Sequence, residues 1–176
     1  MPLDPRILIL FGANVLLLHL MLLVNSAMGS WPVYLFLLGP MLALPALYLR
    51  HRSYFVCTLL TGLWVDASMP VAFGFFTALF LCFGALIFFF RIRFRVEHNY
   101  HPILLAHCMN FVLLVALTVA TGSDYFNVSE FWIYVLTTSL SSHLALILVA
   151  PWFFNLERLL FEICRLETEP DDFPVL

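Results

Sequence analysis

The sequence predicts an all-α integral membrane protein of about six transmembrane helices with both termini on the cytoplasmic face, and three observations carry that expectation. Of its 176 residues 63% are hydrophobic and only 11% charged, with a mean hydropathy of +1.00, far more apolar than a water-soluble domain. Polar residues gather into short breaks between apolar runs of about 20 residues, the length in which a helix rising about 1.5 Å per residue crosses a ~30 Å hydrocarbon layer. The 8 basic side chains are all arginines, and they occupy alternate breaks.

The first run, residues 7–24, follows Arg6 and has no small-residue cleavage site before Trp31, so it reads as an uncleaved helix. Residues 31–49 form the second run and end at Arg50 and Arg52; residues 53–69 form the third. The fourth, residues 71–90, is rich in phenylalanine and ends at Arg91, Arg93 and Arg95. Residues 102–121 and 131–152 complete the set, joined by a short polar loop from Asp124 to Glu130. With six spans, all eight arginines face one side, which positive-inside retention makes the cytoplasm; five or seven spans would scatter them. Beyond Trp152, Leu156, Leu159, Leu160 and Ile163 follow helical spacing opposite Glu157, Arg158, Glu162 and Arg165. Residues 1–155 are therefore expected to be a six-helix transmembrane domain, and residues 156–176 a cytoplasmic amphipathic segment with an acidic tail.

Composition also excludes functions. A net charge of -3 and a pI near 6.0 leave no basic face to follow a phosphate backbone, so no nucleic-acid partner is expected. Cys57, Cys82, Cys108 and Cys164 lack paired spacing, and His98 and His101 stand alone on a loop, so neither metal nor cofactor is expected. No hydrolase, metalloprotease or phosphate-loop motif occurs, and no loop is large enough to fold a catalytic unit, so the chain is read as a non-enzyme.

Asp66 is the most informative residue. It lies about 20 Å above the arginine-bearing boundary by helical rise, inside the outer half of the membrane, where an ionisable group needs a role or a partner. Two readings stand side by side: Asp66 with Ser68 caps a fourth helix opening at Pro70, or its charge serves a functional contact, with His19 of the first helix at nearly the same height. Asn110 and His143 share a depth of roughly 12 Å, near the hydroxyl run Thr137, Thr138, Ser139, Ser141 and Ser142 that favours close helix packing. Arg91, Arg93 and Arg95 suit cytoplasmic anchoring to anionic lipid or an acidic partner.

The stretch Gly62-Leu63-Trp64-Val65-Asp66, followed by Gly74-Phe75-Phe76-Thr77-Ala78-Leu79, resembles the G-L-x-x-D and G-x-x-x-L region of the MreD family of rod-shape-determining membrane proteins, with Leu79 one residue later than that spacing has it. Pro151-Trp152-Phe153-Phe154 before a short charged tail is similar to that family's close; Ala67-Ser68-Met69-Pro70 departs from its glycine-containing turn. The resemblance implies a multi-pass protein of the bacterial inner membrane with the bundle of energy-coupling-factor S-components. It implies a scaffold of the cell-elongation machinery for peptidoglycan synthesis that binds an MreC-like partner and acts with MreB, RodA and a class B penicillin-binding protein. Gly62, Asp66, Gly74 and His19 would then belong to its partner-binding or structural motif. The S-component likeness supplies the alternative, a substrate-binding subunit of a small-molecule transporter.

Overall fold

Away from water every backbone amide must find a partner inside the protein, and the helix is the form that supplies one locally. The computed structural model describes residues 4–29, 31, 33–94 and 101–166, and among them there is no strand. In chain order the helices are α1 Pro5–Ala27, α2 Pro40–Tyr48, α3 His51–Ser68, α4 Phe75–Phe94, α5 His101–Gly122 and α6 Ser129–Ile163, with a 3-10 turn at Ser123–Tyr125. Three helical stretches, Pro5–Ala27, Pro102–Tyr125 and Ser129–Ile163, are long and apolar enough to cross a membrane, and Phe75–Phe90 is a shorter apolar helix. The chain is built as a helical membrane protein.

α1 starts where Asp4 accepts the Arg6 amide at 3.0 Å and pairs with the Arg6 guanidinium at 3.1 Å, with Pro5 in the first turn. Ser53 donates to the same carboxylate at 3.3 Å, so the starts of α1 and α3 are joined. α1 buries Ile7, Leu10, Asn14, Leu17, Leu18 and Met21, a helical stripe.

The second apolar run departs from expectation. Residues 33–38 are not helical, and only Pro40–Tyr48 forms a helix, with Pro45 inside it. Every residue from Pro40 to Leu47 is buried, because α2 lies among α3, α4, α5 and α6 at the centre of the bundle. Gly39 lets it sit there: a Cβ at Gly39 would meet the Ala106 carbonyl and lie 2.7 Å from the Asn110 amide nitrogen of α5.

α3 and α4 make the most intimate pair. A Cβ at Gly62 would lie 2.7 Å from Thr77 Cα, and one at Gly84 would collide with the Tyr54 hydroxyl. α5 and α6 are linked by the His107 and His143 imidazoles, Nδ1 to Nδ1 at 2.9 Å. Aromatic groups gather at the two ends of the bundle: Tyr125, Phe126, Phe131 and Trp132 around the α5–α6 turn, and His51, Tyr54, Phe55 and Phe88 at the start of α3.

α6 runs unbroken through residue 155 to Ile163, with 35 residues, about 52 Å of helix against a ~30 Å hydrocarbon layer. The helical extension beyond Trp152 is present, but its inward face is not the leucine stripe. Phe153, Phe154, Glu157 and Phe161 are buried, whereas Leu159 and Ile163 are 50% and 67% exposed. Arg158 ties the extension to the end of α2 by donating to the Tyr48 hydroxyl at 3.2 Å.

Candidate functional site

The Gly62-to-Gly74 motif folds into one unit. Asp66, 4% exposed near the end of α3, turns its carboxylate onto the start of α4. Oδ1 accepts the Phe76 amide at 2.7 Å, while Oδ2 accepts the Gly74 and Thr77 amides at 3.0 Å each and the Thr77 hydroxyl at 2.5 Å. Four donors on one carboxylate at a helix start neutralise groups that have no partner within their own helix, and the positive end of the α4 dipole favours the anion. Gly74 has φ +96, a conformation that side chains rarely adopt, and this turns its amide toward Oδ2. Gly62 completes the unit by admitting Thr77 against α3.

The expected cap is therefore present, with different bounds. α4 opens at Phe75 instead of Pro70, and Ser68 takes no part, donating back to Trp64 O at 2.8 Å. His19 is not brought to Asp66: its Nδ1 lies 2.7 Å from Val15 O and its ring 6.1 Å from that of Trp64. Arg91 and Arg93 stand in the last turn of α4 with side chains outside the described residues, and Arg95 lies outside them altogether.

A second polar cluster secures the irregular chain before α2. Asn25 of α1 clasps Leu35 from both sides, accepting its amide at 2.7 Å and donating to its carbonyl at 2.8 Å. Ser142 of α6 accepts the Phe36 amide at 2.9 Å. Asn110 of α5, wholly buried, donates to Phe36 O at 2.8 Å and accepts the Gly39 amide at 3.1 Å. Buried irregular backbone persists only where protein groups meet its amides, and these three side chains do so, with Met21 Sδ accepting the Leu37 amide at 3.2 Å. The equal depth expected for Asn110 and His143 does not bring them together: Asn110 serves α2, and His143 pairs with His107.

No protein-family model, curated protein or solved structure matches this chain. The chemistry of its sites is thus read from their geometry. Among the described residues no group of three or more His, Cys, Asp or Glu side chains could hold a metal ion. The Asp66 carboxylate has its acceptor capacity taken up by α4, which suits a structural clamp better than a proton carrier.

One polar residue escapes the sequence reading. Glu157, placed by helical spacing on the solvated face of α6, is fully buried, and among the described residues neither carboxylate oxygen has a hydrogen-bond partner. The spacing did carry a signal: Phe153, Phe154 and Phe161 stand at i−4, i−3 and i+4 on the same face and outweigh one carboxyl in choosing which side turns inward.

Proposed function

We propose that the chain is a non-enzymatic scaffold of the bacterial cell-elongation complex, held in the inner membrane by six crossings with both termini in the cytoplasm, and that it binds an MreC-like single-span protein. The single observation that carries this reading is the hairpin of Gly62, Asp66 and Gly74. The three residues on which the MreD resemblance rests are joined in one clamp that sets the angle between α3 and α4. The clamp makes these two helices a fixed surface for a partner's span, and the exposed Phe73, Leu86, Phe89 and Phe90 give it an apolar face. MreB, RodA and a class B penicillin-binding protein would then be reached through that partner.

Six crossings are compatible with the short α2. Six residues of irregular chain reach at most about 20 Å, and nine of helix add about 13 Å, together the thickness of the hydrocarbon layer. The eight arginines supply the orientation. Cysteines engineered at Ser26 and Ser123 should be labelled from outside intact cells and one at Ser53 should not, in a background lacking the exposed Cys82, Cys108 and Cys164. External labelling at Ser53 would refute the orientation.

The decisive experiment is capture of the MreC-like partner at matched membrane abundance. Wild type should retain it and Asp66→Ala should retain distinctly less. Equal capture by wild type and an unrelated six-span protein would defeat the scaffold reading. The alternative, a substrate-binding transporter subunit, draws on a cavity of about 310 Å³ between α5 and α6, at the low end of small-molecule sites. Its described lining has no charged side chain, which is poor provision for a charged, water-soluble substrate.

A further inference from the structure

The part of α6 beyond the sixth apolar run, residues 131–152, carries an inference that does not rest on the scaffold reading. Phe153, Phe154, Glu157 and Phe161 stand at i, i+1, i+4 and i+8 on one face of the helix, and all four are buried against the bundle. Glu157 is the anomaly among them. Neither of its oxygens has a hydrogen-bond partner among the described residues, and neither is open to solvent. An anion in that position would have surrendered its hydration with no donor in exchange, whereas the protonated acid surrenders far less.

The neighbouring elements supply no cation to these oxygens. α6 packs against α1, α2 and α5. At this end α1 carries Asp4 and Arg6, which pair with each other at 3.1 Å. α2 ends at Tyr48, whose hydroxyl accepts Arg158 at 3.2 Å. From α3 the buried Cys57 thiol is near enough to feel a charge on Glu157, and the start of α3 adds Arg50, His51, Arg52 and Tyr54. α5 brings His107, which pairs with His143, 14 residues before Glu157 in α6. The extension itself adds Glu162. Among the described residues none of these groups bonds to either Glu157 oxygen.

We infer that residues 156–163 dock on the bundle with Glu157 protonated, so that docking is a proton-coupled switch: a rise in pH releases the extension and uncovers the surface that Phe161 and Glu157 now cover. Released into water, Glu157 is an ordinary carboxyl that ionises near pH ~4.3. Docked, it holds its proton to higher pH, because ionising in place would leave a buried charge unmet. Docking is therefore fully favoured below about pH 4.3. Above that point its equilibrium constant falls about tenfold per pH unit, one proton per extension, until the docked carboxyl itself ionises.

The test is amide hydrogen exchange of the full chain in phosphatidylcholine nanodiscs from pH 6 to pH 8, read for residues 158–163 and corrected for the intrinsic rise of exchange with pH. A helix end of two turns projecting into water frays, so release opens these amides. Wild-type protection should fall about 100-fold over the two pH units, while residues 140–150 of the same helix keep theirs. Glu157→Gln, an uncharged isostere, should stay docked with protection independent of pH, and Glu157→Met should behave alike. Both variants retain His51, so the comparison removes any contribution from it. The inference is overturned by wild-type protection that stays constant from pH 6 to pH 8, by an equal fall in Glu157→Gln, or by a loss of protection spread along the whole of α6. Should both variants fail to insert, the wild-type slope alone decides.

Discussion

Two non-helical stretches, residues 69–74 at the largely exposed turn between α3 and α4 and residues 33–39 before α2, are secured in opposite ways. The first is anchored at its far end by a single carboxylate, Asp66, which accepts the Gly74 amide and those of Phe76 and Thr77 in α4, 8 to 11 residues further on. The second relies on neutral amides and a hydroxyl from three other helices, drawn from 10 to 106 residues away. A helix start suits an anion, since its free amides all point one way and its dipole adds to them. An irregular segment presents amides and carbonyls together, so it needs groups that both donate and accept, and Asn25 and Asn110 each do both. The difference teaches that local backbone demand selects the chemistry of the clamp.

The largest expected effect tests the long-range clamp. Asn110→Ala leaves the Gly39 amide and the Phe36 carbonyl unmet where no water reaches them, and should cost about 3–5 kcal/mol. Reversible unfolding in SDS-containing mixed micelles measures it, and amide exchange should accelerate at Gly39 while leaving Gly74 protected. A loss below about 1 kcal/mol would mean that the segment does not depend on this clamp.

An intermediate effect tests whether charge matters at the other site. Asn is an ordinary substitute for Asp at an exposed helix start, but here both oxygens accept donors, so an amide nitrogen at either place would face an N–H. Asp66→Asn should therefore cost about 2 kcal/mol in the same micelle titration. Stability equal to wild type would remove the distinction between the two clamps. The smallest effect concerns the half-buried Asn25: Asn25→Ala should cost about 1 kcal/mol, because water can replace part of what the side chain supplied. A cost as large as that of Asn110→Ala would show that the segment is gripped equally at both ends.

Legibility in the sequence follows the same division. Asp66 was readable as a helix cap because its partners are its near neighbours, whereas Gly74 fell inside a run read as helix from residue 71 and its positive φ appears only in the fold. The pairing with His19 rested on equal depth alone, and depth does not fix the direction in which a side chain points around its helix. The break in residues 31–49 had one local signal, the pair Gly39-Pro40, which hydropathy overrode because an apolar run is equally apolar as helix or as protected irregular chain.

Composition and local pattern alone carry the apolar character of the chain, its apolar runs, the arginines in alternate breaks and the local cap, since each depends on composition or on residues a few turns apart. The meeting of distant helices is what makes α2 short and central, sets Asn110, Asn25 and Ser142 against the chain before it, and leaves a cavity between α5 and α6. Those features arise where helices distant in sequence meet, and which amides, faces and hollows remain to be filled is fixed only once the neighbours are in place.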